Sequence, residues 1–190
     1  MKKKKTILPC PRLLFKTFEA PLKNVKAVII GQDPYPRFEK GIPQAMGLSF
    51  SVPHGLETPS SLRNIYQNLQ VFGHLEKIPS HGNLERLLHQ GVLFLNATMT
   101  VEKDIPNSHQ GIWDEFTDGI IYLLSNRPEI KFVLWGKNAI TKKYLVQSKN
   151  YVASSHPSGL SCNKPCGVFP AFMKCDFSKN LGIDWNVLLD

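Results

Sequence analysis

Asp33, Asn96 and His156 are the residues whose type and position could do chemistry. Asp33 sits in Gly31-Gln32-Asp33-Pro34-Tyr35-Pro36, directly after the apolar run Val25 to Ile30. Gly31 opens backbone angles that other residues avoid, and the two prolines fix φ and remove two amide donors, so the carboxylate rides on a stiff loop. A plain Asp-Pro turn is the competing account of the same residues. Asn96 closes the run Val92-Leu93-Phe94-Leu95, and His156 follows Tyr151-Val152-Ala153 through two serines. A carboxylate can stabilise a cation or orient water, and a His can stabilise a departing anion. An Asn amide offers a donor and an acceptor side by side, which suits the edge of a base. Tyr35 and Phe50 could supply a steric wall and a stacking face, although loop packing and core burial account for aromatic residues equally well.

Other chemistries lose support. There is no Ser or Cys in a strand-to-helix elbow of the kind acyl transfer uses. Neither a Walker loop nor GxGxxG is present, so nucleotide cofactors are not indicated. Cys10, Cys162, Cys166 and Cys175 lack paired CxxC knuckles and read as ordinary thiols rather than a metal site. No metal and no cofactor are expected.

The elements that must position these residues follow from hydrophobic pattern. Four short apolar runs read as strands: Val25 to Ile30, Val92 to Leu95, Ile130 to Trp135 and Tyr151 to Ala153. Between them lie helical stretches. Thr58-Pro59-Ser60-Ser61 reads as a hydroxyl-capped helix start, followed by Leu62, Ile65, Tyr66 and Leu69 at core spacing. Further helices are predicted over Asn83 to His89, Ile112 to Asn126 (apolar at Trp113, Phe116, Ile120, Tyr122 and Leu123), Ala139 to Val146 and Phe172 to Asn180. Phe50 lies in GLSFSV, which reads as a short extended run, and Leu13, Leu14, Phe15 and Phe18 are expected to pack inward. Strands alternating with helices indicate an α/β three-layer sandwich around a mostly parallel four-stranded sheet. In such sheets ligands bind beyond the carboxyl ends of the strands, and Asp33, Asn96 and His156 all fall there.

The chain of 190 residues, 42% hydrophobic, suggests residues 1–24 as a basic tail and N-terminal segment and 25–190 as a single domain. A formal charge of +8 and a pI near 9.4 favour an anionic partner, nucleic acid before membrane. Lys2-Lys3-Lys4-Lys5 reads as a solvated tail. No run suits a membrane span or a signal peptide, so an intracellular monomer is expected.

GQDPYP, LSFSV, VLFLNATMTV, FVLWGKNA and SSHPSGLS, in that order, resemble the family 1 uracil-DNA glycosylases from about Val25 to Phe177. The resemblance implies removal of uracil from DNA by base flipping, single- or double-stranded, without a cofactor. It gives Asp33, beside Gln32, the task of orienting water and stabilising the sugar cation. Tyr35 rejects the thymine methyl, Phe50 stacks on uracil, Asn96 pairs with its polar edge and His156 bonds to O2. Leu160 enters the base stack, and Ser61, Ser158 and Ser161 hold phosphates. A DNA-mimicking inhibitor or replication proteins are the implied protein partners.

The chain departs from the family pattern at several places. Pro36 stands where His is common, as in the poxvirus branch; Met46 replaces a His, and Gly159 replaces a Pro. Lys137 replaces a Ser, exchanging a phosphate-contacting hydroxyl for a cation. The stretches Pro36 to Pro43 and Cys162 to Pro170 are lengthened. Two other readings stand beside the glycosylase: a DNA-binding module on the same fold, and a glycosylase with a different base preference. Asp33, Asn96 and His156 together speak against the first, and Tyr35 with Asn96 against the second.

Overall fold

The computed structural model describes residues 5–189. Strands β1 (Ala27–Gly31), β2 (Val92–Asn96), β3 (Lys131–Trp135) and β4 (Tyr151–Ser154) form a parallel sheet in the order β2-β1-β3-β4. The β-branched and aromatic content of these runs suits a buried pleated surface, and their burial on both faces requires covering layers. Side-chain alternation divides them cleanly. Ala27, Ile29, Val92, Phe94, Val133 and Trp135 point into one core, while Val28, Ile30, Leu93, Leu95, Phe132 and Leu134 point into the other. The expected α/β sandwich is therefore the observed one.

Helix α1 (Ser60–Val71) buries Leu62, Ile65, Tyr66 and Leu69 in the first core. It ends at Gly73, whose φ of 76° lets the His74 amide reach the Leu69 carbonyl at 2.8 Å. Its start differs from expectation: Pro59 occupies the cap position, and no hydroxyl caps the first turn. Pro suits a helix entrance because it lacks the amide that would need a partner. Helix α2 is only Arg86–His89, and α3 spans Asp114–Ser125. The helix expected over Ile112 to Asn126 is there, and its buried face is Thr117, Ile121, Leu124 and Ser125, while Phe116, Tyr122 and Leu123 are exposed. Helix α3 covers the sheet with its small and branched residues and turns aromatic bulk outward. Helix α4 (Gly136–Thr141) continues as a 3-10 turn over Lys142–Leu145. The predicted helix from Phe172 reduces to a 3-10 turn, Phe172–Lys174.

The described residues before β1 pack against the rest of the domain. Ile7–Leu8 pair antiparallel with Val101–Glu102, and Leu13 and Phe18 touch the two cores. Phe15, expected to point inward, is exposed and sits 6.2 Å from the Phe116 ring. Lys2, Lys3 and Lys4 of the basic tail lie outside the described residues.

The segment after β4 is tied to α1 by one buried amide. Asn68 donates to the Phe172 and Cys175 carbonyls at 2.9 and 3.1 Å. Asn68→Ala removes both bonds, while each carbonyl keeps a backbone donor, the Cys175 amide to Phe172 O at 3.0 Å and the Phe177 amide to Cys175 O at 2.9 Å. Each lost bond is worth about 0.5–1.5 kcal/mol net, so urea denaturation is expected to show the variant destabilised by about 1–3 kcal/mol, with the m-value unchanged.

Candidate active site

The parallel register brings the four strand ends level. Gly31 lies opposite Asn96, and Trp135 opposite Ser154. The β1–β2 pairing continues past the strands, as Ala97 and Thr98 donate to the Gly31 and Gln32 carbonyls at 3.0 and 2.9 Å. The loop after β1 is thus held by backbone before any side chain contributes. A cavity of about 230 Å³ opens there, lined by Gln32, Asp33, Tyr35, Phe50, Asn96 and His156, with Pro36 and Ser61 at its wall.

Gly31 has no room for a side chain: an added Cβ would lie 2.3 Å from Asn96 Oδ1 and 2.7 Å from Ser49 Cβ. The Asn96 side chain lies directly across this glycine, and its amide makes no hydrogen bond within the described residues. It keeps both its donor and its acceptor for a ligand.

Phe50 is not in an extended run as expected. Its φ is 64°, in the left-handed region that a bulky residue rarely occupies. Ser49 holds the approach by donating its amide to Phe94 O at 3.2 Å and its hydroxyl to Ile29 O at 3.3 Å. The Phe50 ring then stands edge-on to Trp135, 5.3 Å between centroids, and 6.0 Å from the His156 ring. Tyr35 donates its hydroxyl to the Phe50 carbonyl at 3.3 Å, and burial pushes its phenol well above the usual tyrosine range. Tyr35 is thereby tied to the Phe50 backbone at the cavity wall.

Burial raises the Asp33 carboxyl, and the Asn107 amide, donating to Oδ2 at 2.8 Å, opposes that rise. Burial lowers His156. Its Nδ1 accepts from the Ser158 amide at 3.0 Å, so the neutral ring carries its proton on Nε2. Gly136, at φ 82°, lets the backbone pass under His156, where a Cβ would lie 2.9 Å from His156 Cβ.

Sequence reasoning missed Asn107 and Asn138. Gln32 donates to the Asn107 side-chain oxygen and accepts from Asn138 Nδ2 at 2.7 Å, so it is clamped from both sides. Asn107 serves twice, through its amide to Asp33 and its side chain to Gln32. Its loop is pinned by Trp113, which donates to Thr100 Oγ1 at 2.7 Å, and by Thr100, which bridges to His109 Nδ1 at 2.8 Å. An Asn after a Pro signals only a turn, and nothing local says which carboxylate it will face.

A second cleft of about 280 Å³ adjoins the first and shares Gln32 and His156 with it. Lys137, Ser158 and Ser161 line this cleft. Leu160 belongs to neither; it projects from the same loop, 86% exposed. The loop is braced by Asn64 of α1, which donates to Pro157 O at 2.7 Å, and by Ser155, which donates to Ser161 O at 3.0 Å. The four cysteines are free thiols, and no three His, Cys, Asp or Glu side chains are grouped to hold a metal among the described residues.

Residues 18–175 match the uracil DNA glycosylase superfamily. The chain belongs to that superfamily. A uracil-DNA glycosylase of Francisella philomiragia is 42% identical over 96% of this chain and 86% of its own length. One of Alkaliphilus metalliredigens is 42% identical over 96% and 82% respectively. Among solved structures, mimivirus uracil-DNA glycosylase superposes with a TM-score of 0.87 at 34% identity, over 94% of this chain and 71% of that one. A mimivirus UNG variant in complex with UGI gives a TM-score of 0.89 at 35% identity, over 97% and 78%. The Asn107 clamp at the strand-end cavity can be tested directly. Asn107→Gly keeps the left-handed turn and the amide bond to Asp33 but frees Gln32, whereas Asn107→Val also strains the backbone. Initial rates of uracil release are expected to fall about tenfold for Gly and at least 100-fold for Val, as about 1–3 kcal/mol per lost hydrogen bond and about 1–3 for strain imply.

Proposed function

We propose that the chain hydrolyses the N-glycosidic bond of uracil in DNA, releasing uracil and leaving an abasic site. One observation carries this reading: residues from three parallel strand ends and two aromatic rings converge on one cavity about the size of a base. The family membership supports the same class of reaction. The target nucleotide is turned out of the strand into the cavity. Phe50 stacks on the ring, Asn96 reads its polar edge with an amide that makes no hydrogen bond among the described residues, and Tyr35 stands against a 5-methyl group.

The C1′–N1 bond breaks with its electron pair passing to the base, where charge gathers on O2. His156, neutral and with Nδ1 already engaged, donates from Nε2 to that oxygen. Positive charge left on the sugar faces the Asp33 carboxylate. Water then attacks C1′, its proton passing to Asp33, and the released base takes up a proton. An ionised carboxylate held in a partly dry setting acts most strongly as charge develops. Pro36, a cavity-wall residue without a titratable group, aligns the loop with the poxvirus branch of the family and leaves Asp33 to act alone there.

Ser61, Ser158, Ser161 and Lys137 surround the entrance and are assigned to phosphates. A DNA-mimicking inhibitor protein would address the same surface, a reading supported by the mimivirus complex with UGI.

Asp33→Asn tests the chemistry. Release of uracil from a labelled oligonucleotide is expected to fall by about 10²–10⁴, the usual range for such a group, with affinity for DNA retained. Because burial raises the Asp33 pKa, its stabilising contribution exists below the unfolded value and is lost as pH rises through the folded one. At neutral pH the Asn variant should therefore melt no lower than the parent. Unchanged activity would remove Asp33 from the mechanism.

Leu160 is assigned to the gap left by the flipped base. Unstacking costs a few kcal/mol in a duplex, and an apolar wedge offsets part of it. Leu160→Ala should slow single-turnover release from duplex about tenfold more than from single strand. An unchanged ratio of the two rates would sink the wedge assignment.

A further inference from the structure

A groove of about 380 Å³, unused by the reaction above, runs between the helical stretch from Lys137 to Tyr144 and the loop from Cys166 to Phe169. Lys137 lines both this groove and the cleft beside His156, so the two adjoin. Ile140, Val168 and Phe169 make the walls apolar. Tyr144 is 80% exposed and Val168 94%, which is an unusual cost to leave in water beside a nucleic-acid cleft. The Lys143 ammonium lies 5.0 Å from the Tyr144 ring centroid and 5.4 Å from that of Phe169. Its neighbour Lys142 is neutralised by Asp118 at 2.6 Å, but Lys143 has no carboxylate partner among the described residues. No acidic side chain lines the groove.

We propose that this groove binds an unpaired nucleotide of the DNA strand, flanking the one in the cavity, with its base on Tyr144 and its phosphate on Lys143 and Lys137. The inference rests on the DNA reading above. An aromatic face with a cation held beside it matches the repeating unit of a single strand, a π-surface and an anion. Charge complementarity decides the occupant: an apolar protein segment would match the walls but leave two ammonium groups without a counter-charge. A base within a duplex presents no free face to Tyr144, so the groove favours single strands.

The test uses the full chain and a uracil-free single strand of about 16 nucleotides beside the same sequence as a duplex, with affinity read by fluorescence anisotropy. Stacking on an aromatic side chain is worth about 1–3 kcal/mol per base, or about 5- to 150-fold in affinity. Tyr144→Ser should weaken the single strand by about tenfold and leave the duplex within twofold, while Tyr144→Phe should restore the parent value. Lys143→Gln should lower the magnitude of the salt slope on the single strand by about 0.7. A single-strand affinity unchanged in Tyr144→Ser overturns the proposal and leaves the groove to a protein partner. Equal losses on single strand and duplex overturn it as well, as does failure of Phe to restore binding. Because these strands carry no uracil, the result is independent of catalysis. Absence of uracil release by the parent would defeat the glycosylase reading without moving these affinities.

Discussion

The site depends on the close approach of β1 and β2 at their carboxyl ends. An added Cβ at Gly31 would lie 2.3 Å from Asn96 Oδ1, so glycine there is what lets the amide lie flat across the end of the neighbouring strand. The same approach lets the ladder run on into the loop, with Gln32 still accepting from Thr98. Asp33 is the next residue, and its position is therefore set by sheet geometry before its own side chain makes a contact. The glycine under His156 repeats the device at Gly136, at the junction of β3 and α4.

Around this frame, the polar groups are arranged so that each is held by something other than what it would act on. Asp33 is steadied by an amide from a distant loop, His156 by the amide two residues on, and Gln32 by two asparagines. Burial moves Asp33 and His156 toward each other in pKa, raising one and lowering the other. The carboxylate gains electrostatic strength as it loses water, and the imidazole stays neutral and keeps a proton to donate. The Asn96 side chain makes no hydrogen bond among the described residues, as suits a group that must exchange water for a ligand.

The basic surface is uneven. Several lysines are neutralised at short range, as Lys142 is by Asp118 and Lys16 by Glu85 at 2.6 Å. Lys137 and Lys143, which have no carboxylate partner among the described residues, line the cleft and the groove in turn. Two such cations in succession suit a phosphate backbone, whose charges also repeat along a line.

The sequence by itself determined the four strands, their approximate extents and the strand-end placement of Asp33, Asn96 and His156. Short continuous apolar runs and stiff polar loops are local signals, and the motifs in their order determined the family. Helices α1 and α3 were legible because their apolar residues recur at helical spacing, but which face of α3 meets the sheet was not, since Phe116 and Tyr122 carry apolar bulk outward and only packing decides it. The left-handed Phe50 was hidden because its conformation is imposed by Ser49 hydrogen bonds to β1 and β2, not by its neighbours in sequence. Asn107 and Asn138 were hidden for the same reason: Asn107 lies 74 residues beyond Asp33, and Asn138 lies 106 beyond Gln32. Local sequence sets which residues can carry chemistry; contacts between distant segments set which groups hold them, because those contacts exist only once the chain has closed on itself.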